Sequence, residues 1–163
     1  RTPRSTLFPY TTLFRSIYNV CHLKNTLKVL CCGGSNIDQN GVSGLKFIEK
    51  LRCYNSNIRD VNYMKDTLKV LDCSGDCGID QNGISELQHI EKLYCGYNSN
   101  IHDVNHLKNT LKTLNCPGFW GIDQNGISEL KYIEKLYCGY NNKINDVCHL
   151  KSTLKIVSIF NIF

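Results

Sequence analysis

The sequence predicts an α/β solenoid of about seven rungs, with one parallel sheet on the concave face and short helical or 3-10 segments on the convex face. One apolar pattern recurs seven times, and successive copies start 20 to 22 residues apart. Residues 58–100 and 101–143 are also nearly the same sequence, so the chain is built by repetition. Crossovers between parallel strands are almost always right-handed, so we expect a right-handed solenoid.

Each copy of the pattern contains one apolar residue, two of any type, a second apolar residue, one of any type, and usually Cys. Each of the long units, such as residues 58–100 and 101–143, contains two such copies that differ in their polar residues. The structural repeat is therefore half of a long unit, which we call the half-repeat. The copies are Leu27, Leu30, Cys32; Ile48, Leu51, Cys53; Leu68, Leu71, Cys73; Ile90, Leu93, Cys95; Leu111, Leu114, Cys116; Ile133, Leu136, Cys138; and Leu154, Val157, Ile159.

The pattern predicts how each rung is built. Alternation around Leu93 and Cys95 indicates a short strand with these two side chains inward and their neighbours outward. An Asn such as Asn98 then hydrogen-bonds backbone groups of the turn. Apolar residues three apart favour a helical or 3-10 return segment. In one rung these are Ile101, Val104 and Leu107.

The segments IEKLYCGYN and TLKVLDCSGD resemble the leucine-rich-repeat core L-x-x-L-x-L-x-x-N, with Cys in the third apolar place. The segment IHDVNHLKNT is similar to the twenty-two-residue, internalin-like class of this family. The alternate segment IDQNGISELQH is similar to its cysteine-containing class, known from F-box proteins. The amino-acid composition, rich in Asn, Lys and Ile, also resembles that of repeat proteins of giant viruses. The resemblance implies a protein-binding solenoid over residues 17–163.

Residues 1–16 differ from the rest of the chain in composition. They hold two of its three prolines and lack Asn, Lys, Asp and Gly. Residues 6–16, TLFPYTTLFRS, are the in-frame translation of a common short-read sequencing adapter. We therefore interpret residues 1–16 as an adapter-derived artefact and not a domain. We expect that the natural N-terminus is missing. Because the final residues IVSIFNIF are apolar where a solenoid needs a polar cap, we expect truncation at both ends.

The net charge of +5 falls to +2, with 16 basic and 14 acidic residues, once Arg1, Arg4 and Arg15 are set aside. This weak balance does not favour nucleic-acid binding. No apolar run reaches the length of a membrane-spanning helix, so we expect no membrane partner. No Asn lies in a glycosylation sequon, which favours a cytoplasmic setting, although a lost signal peptide stays compatible with the sequence.

The ten cysteines do not resemble a disulfide framework. Cys is a small hydrophobe that suits a stacked interior, so the column is predicted to consist of buried, reduced thiols. Occasional disulfides or metal binding are the alternatives. The column comprises Cys32, Cys53, Cys73, Cys95, Cys116 and Cys138. The remaining cysteines, Cys21, Cys31, Cys77 and Cys148, are predicted to be surface thiols.

No motif for catalysis, a metal or a cofactor is found, so the sequence predicts a non-enzymatic protein. His102 and His106 share a helical spacing without a third ligand, and are interpreted as solvated. The DQNG segments at Asp38, Asp80 and Asp123 resemble the start of a calcium loop, but the required Glu is absent. We interpret each as a turn in which Asp caps a short helix and Gly supplies backbone freedom.

The predicted function is protein–protein recognition by the concave sheet. Strand alternation places aromatic and polar side chains in one outward row and lysines in a neighbouring row. Aromatic and Arg side chains commonly carry interface energy, while Lys steers and selects. Alternatively, the Tyr residues only tolerate a strand position and pack over their neighbours. The candidate partner-binding residues are Arg52, Asp72, Tyr94, Asn115 and Tyr137, with Lys50, Lys92 and Lys135.

Three other functions stay open. The cysteine-containing half-repeats suggest a substrate receptor of a ubiquitin ligase whose F-box is missing. The Lys columns of the LKxTLK segments suggest a weak anion or nucleic-acid binder, although they are also typical of a solvated outer face. A scaffold with no dedicated partner is the last alternative. Partner identity and oligomeric state are left undetermined by the sequence.

Overall fold

A computed structural model describes residues 17–159 of the chain. The predicted artefact at residues 1–16 therefore lies outside the described residues. The described part is one open sheet of seven parallel strands in sequence order, which confirms the predicted α/β solenoid. The strands are β1 Val29–Cys31, β2 Lys50–Arg52, β3 Val70–Asp72, β4 Lys92–Tyr94, β5 Thr113–Asn115, β6 Lys135–Tyr137 and β7 Ile156–Ser158. Each strand with its following turn and return segment forms one rung.

The return segments are short, as the spacing of their apolar residues predicts. One is a four-residue helix, α1 Gln39–Val42, and the others are single 3-10 turns. These turns are Cys21–Leu23, Asn62–Met64, Asn82–Ile84, Asn105–Leu107, Asn125–Ile127 and Cys148–Leu150. None of the helical segments in residues 17–159 is long and apolar enough to cross a membrane.

The core lies between the sheet and the return segments. Strand centres such as Leu71 and Leu93 are buried, and so are return-segment residues such as Val61 and Ile84. Because no rung can bury its apolar side alone, the core is continuous from rung to rung. Within the described residues the burial weakens at β7, where the central residue Val157 is 48% exposed.

Buried Asn side chains bond backbone groups of the turns, as the sequence predicts, and they also connect consecutive rungs. Asn98 is 1% exposed, and its Nδ2 donates to the carbonyl oxygens of Cys73 (2.9 Å) and Ile79 (3.0 Å). Its Oδ1 accepts from the backbone N–H of Asn100 at 3.0 Å. Asn141 makes the equivalent bonds two rungs further along. These amides satisfy polar groups of irregular backbone that water does not reach.

The DQNG segments are helix caps, as predicted. Oδ1 of Asp38, Asp80 and Asp123 accepts from the backbone N–H three residues later, at 2.9 to 3.0 Å. The predicted role of the glycine in these segments is wrong, because its φ is not positive. A Cβ on Gly83 would instead lie 2.1 Å from the carbonyl oxygen of Arg59. The glycine is required by the close approach of two rungs.

A Gln clamp joins the same segments to the next rung, and the sequence pattern did not indicate it. Oε1 of Gln81 accepts from the N–H groups of His102 (3.1 Å) and Asp103 (3.0 Å), and its Nε2 donates to the Asp103 carbonyl at 2.9 Å. Gln39 and Gln124 make the same three bonds in their own rungs. The DQNG segment is therefore a structural device for stacking rungs.

Candidate functional site

The predicted binding residues lie on the solvent-facing side of the sheet, the side that the sequence predicts to be concave. We call this side of the sheet the outer face. The strand register places Arg52, Asp72, Tyr94, Asn115 and Tyr137 opposite one another in one row, the tyrosine row. The lysine row runs beside it, with Lys50, Lys92 and Lys135 separated by Val70 and Thr113. The structure thus brings all eight predicted residues onto one surface, while their role in binding stays a prediction.

The side chains of the outer face differ in how far they reach solvent. Arg52, Lys92 and Lys135 are exposed, whereas Lys50 and the two tyrosines, Tyr94 and Tyr137, are only partly exposed. Part of each ring therefore packs over its neighbours. Enough ring surface remains accessible for contact with a ligand, so both interpretations of the tyrosines keep structural support.

Positive charge dominates the outer face. Across its two rows the structure places Lys50, Arg52, Lys92 and Lys135 against a single acid, Asp72. The Asp72 carboxylate is engaged locally, since its Oδ1 accepts from the Ser74 hydroxyl at 2.9 Å. Among residues 17–159 none of the four cations forms an ion pair. The outer face is therefore suited to a ligand with negative charge.

Five lysines outside the outer face form ion pairs with Glu, which the outer-face lysines do not among residues 17–159. Lys65 and Lys108 contact Glu86 and Glu129 at 2.8 and 2.6 Å. Further Lys–Glu pairs join neighbouring rungs just before the strands: Lys28–Glu49, Lys112–Glu91 and Lys155–Glu134. A nearby Lys lowers the pKa of the Glu49 and Glu134 carboxyl groups through hydrogen bonding and charge. This pairing reduces the attraction of the LKxTLK columns for phosphate.

The cysteine column is buried as predicted. All six column thiols are free and between 0% and 4% exposed. Burial holds the pKa of Cys73 and Cys95 well above the ordinary thiol range and raises that of Cys32 to about 12. These groups are therefore neutral thiols near neutral pH, and they act as small apolar side chains.

The prediction of a surface thiol is wrong for Cys77. It is 3% exposed, and its Sγ lies 3.9 Å from that of Cys53 and 3.7 Å from the Ser56 hydroxyl. The turn after β3 folds inward at this residue and places its thiol in the core. Cys31 and Cys148 are exposed as predicted, and Cys21 is partly buried with its thiol donating to the Ser43 carbonyl at 2.8 Å.

The two histidines do not form a site with other ligands. Both residues are exposed, as predicted, and Nε2 of His106 donates to the Ile84 carbonyl oxygen at 3.1 Å. Partial burial of its imidazole ring lowers the pKa of His106. No group of three or more His, Cys, Asp or Glu side chains in residues 17–159 has the geometry of a metal site.

An exposed aromatic cluster beyond the carboxyl ends of β4, β5 and β6 was not found by sequence reasoning. It comprises Tyr97, Phe119, Trp120 and Tyr140, which we call the aromatic rim. Their exposed fractions are 59%, 55%, 70% and 42%. These four residues lie in turns, outside the repeating strand pattern, so that pattern does not indicate them. The adjacency of Phe119 and Trp120 in a polar turn was the available signal.

The backbone at Tyr97 and Tyr140 is left-handed, with φ of 60° and 59°. This conformation costs a side-chain-bearing residue about 1–2 kcal/mol. The surrounding fold therefore holds two large rings outward at an energetic cost.

Comparison with known proteins returned no match, either to a protein-family model or to a curated protein. The fold places the chain in the class of repeat solenoids, whose long sheet is available for binding.

Proposed function

We propose that this chain is a leucine-rich-repeat protein that acts as a non-enzymatic protein-interaction module and binds its partner on the outer face of the sheet. The repeat spacing of 20 to 22 residues between strand starts and the one strand per repeat support membership of that family. The observation that carries the function is the alignment of two tyrosines and four cations on the alternate strands β2, β4 and β6, where none of the cations forms an ion pair among residues 17–159.

The partner presents an acidic, extended segment to this surface. Tyr94 and Tyr137 are two rungs apart, or about 10 Å, so a segment of about three residues that lies across the strands reaches from one ring to the other. Lys92 and Lys135 lie beside them at the same spacing and select for carboxylates. We further propose an intracellular setting, which the ten free thiols support.

The test uses peptides selected from a random display library on the purified protein. For those peptides, we expect the double variant Tyr94→Ala with Tyr137→Ala to bind at least tenfold more weakly, a loss of about 1.4 kcal/mol or more. The fold is expected to persist, because both rings are partly exposed. Affinity is measured by isothermal titration calorimetry, and circular dichroism confirms folding.

The matched control is Tyr132→Ala, which removes a 52% exposed tyrosine outside the strands. Binding is expected to be unchanged in this control. If the selected peptides bind the folded double variant as tightly as the unmodified protein, or if the library yields no peptide, the outer-face proposal is wrong.

Binding of an anion or nucleic acid is the second candidate, favoured by the four cations and one acid of the outer face. This function predicts strong retention on heparin that falls steeply with salt. It also predicts that replacing Lys50, Lys92 and Lys135 by Gln weakens retention more than the two tyrosine substitutions do.

A further inference from the structure

The turn after each of the strands β1 to β6 passes through a left-handed residue at the same place, two positions beyond the column Cys. In three rungs this residue is glycine, which adopts a positive φ without steric cost. In the other three it is Asn or Tyr. The residues are Gly34, Asn55, Gly75, Tyr97, Gly118 and Tyr140, with φ of 66°, 50°, 68°, 60°, 107° and 59°.

Asn55 has a structural reason to occupy this position. Asn tolerates the left-handed region better than most residues, and Oδ1 of Asn55 accepts from the backbone N–H of Asp76 at 3.0 Å. Burial of the side chain offsets little of the backbone strain at the two tyrosines, since Tyr97 and Tyr140 remain 59% and 42% exposed. Glycine would serve the turn at both places. A strained backbone that displays a large side chain to solvent indicates a role in binding.

Each ring of the aromatic rim has a defined neighbour: Phe119 and Tyr140 contact each other, Tyr97 lies against the Gly118 backbone and Trp120 lies beside Lys143. Gly118 leaves room for the Tyr97 ring, because a Cβ there would lie 2.9 Å from Cδ1 of that ring. The centroids of the Phe119 and Tyr140 rings are 6.1 Å apart at an interplanar angle of 41°. Nζ of Lys143 lies 5.8 Å from the centroid of the Trp120 ring. The rim is a pre-arranged aromatic surface with one cation beside it.

Its spacing identifies the kind of chain that fits. Tyr97 and Tyr140 occupy the same turn position two rungs apart, a separation of about 10 Å. A polyproline II helix advances about 3.1 Å per residue with three residues per turn, so equivalent residues recur every ~9.3 Å. Equivalent residues of a β-strand recur every ~6.7 Å and fall out of step with the two rings.

Charge complementarity defines one end of the occupant. The turn segments that carry the rim, residues 96–98, 117–121 and 139–143, contain a single charged residue, Lys143. This cation stacks at the Trp120 ring and forms no ion pair among the described residues. An acidic residue of the ligand is therefore favoured next to Trp120.

We propose that the aromatic rim binds a proline-rich segment in the polyproline II conformation, with an acidic residue of that segment facing Lys143. Prolines three apart pack on Tyr97 and Tyr140, and the intervening turn contacts Phe119 and Trp120. Exposed aromatic rings are the recognition surface that proline-rich segments use generally. The rim is separate from the two rows of the outer face, so this proposal does not rest on the function proposed above.

The test uses Trp120 as its probe, since it is the only Trp in the chain. The protein is titrated with a synthetic oligoproline peptide ending in glutamates, and with a matched peptide in which Gly and Ser replace the prolines. We expect a saturable change in Trp120 fluorescence with the oligoproline peptide and at least tenfold weaker binding of the flexible peptide. Lys143→Ala is expected to weaken binding of the acidic peptide but not of a neutral oligoproline.

The informative variants are Tyr97→Gly and Tyr140→Gly, which place at each turn the residue found in three other rungs. We expect each to lower peptide affinity at least tenfold while the urea midpoint of unfolding stays level or rises. Should a Gly variant fail to fold, Tyr97→Asn and Tyr140→Asn replace it, because Asn occupies this position at Asn55. Tyr132→Ala is the control, and it is expected to bind normally.

Several outcomes would overturn the proposal. They include no saturable fluorescence change, equal binding of the two peptides, and unchanged affinity in the folded Gly or Asn variants. Tighter, salt-sensitive binding of an oligothymidylate would assign the rim to single-stranded nucleic acid instead. Dimerisation in sedimentation velocity that the Tyr97 and Tyr140 variants abolish would assign it to a second copy of this chain. Failure of the double variant Tyr94→Ala with Tyr137→Ala leaves this proposal unaffected, because neither residue belongs to the rim.

Discussion

Replacing the buried amide of Asn98 tests the principle by which the rungs are joined. Asn98→Ala removes the donor to the carbonyl oxygens of Cys73 and Ile79, at 2.9 and 3.0 Å, in a site that is 1% exposed. Each buried polar group left without a partner costs about 1–3 kcal/mol. Asn100, whose N–H loses its acceptor, is exposed and can bond water instead. We expect the variant to lose about 3–5 kcal/mol of unfolding free energy.

The assay is urea unfolding followed by far-ultraviolet circular dichroism and Trp120 fluorescence. Asn98→Asp sharpens the test, because a carboxylate oxygen then faces two carbonyl oxygens where an amide N–H₂ had donated to them. The Asp variant is expected to be less stable than the Ala variant. Ser99→Ala changes an exposed neighbour and is expected to stay within about 0.5 kcal/mol of the unmodified protein. The reasoning is refuted if Asn98→Ala costs less than about 1 kcal/mol, or if Asp is tolerated better than Ala.

Four further predictions concern the cysteine column and the glycine of the DQNG segment. We expect four buried thiols to resist alkylation in the native state, namely Cys73, Cys95, Cys116 and Cys138, while the exposed Cys31 and Cys148 react. Mass spectrometry of the labelled peptides measures this difference. Cys95→Ala is expected to lower the unfolding free energy by about 1–2 kcal/mol, because it leaves a small cavity. Burial raises the pKa of the column thiols, so as the pH rises these thiols ionise in the unfolded chain before they ionise in the folded one. The unfolding free energy is therefore expected to fall as the pH rises above about 8.5. Rapid labelling of the four buried thiols, or an increase in stability at high pH, contradicts this account. Gly83→Ala is expected to lower the unfolding free energy by about 3 kcal/mol, since its Cβ would meet the Arg59 carbonyl oxygen at 2.1 Å. The control is Asn82→Ala, which changes an exposed neighbour. Equal urea midpoints for the two variants would show that the rungs can separate locally, and would contradict the prediction.

The sequence by itself determined the rung. The alternation around Leu93 and Cys95 defines the strand, its register and its outward neighbours, and the seven strands lie where the pattern recurs. The Asp caps and the presence of a turn amide at Asn98 were predictable for the same reason. The caps depend on residues within one repeat, and repetition makes a weak local signal unambiguous. The acceptors of the Asn98 amide lie in the preceding rung, and the pattern did not identify them.

The tertiary structure decided what happens between rungs and at positions that do not repeat. Cys77 is buried against Cys53 because a single turn folds inward, and no other rung carries Cys at that place. The Gln81 clamp and the backbone contact at Gly83 join segments about one repeat apart, which a pattern along the chain does not reveal. The strain at Tyr97 and Tyr140 likewise becomes visible only from their φ angles and exposure. Local periodicity specifies a rung, whereas the contacts that stack rungs and display side chains depend on their arrangement in space.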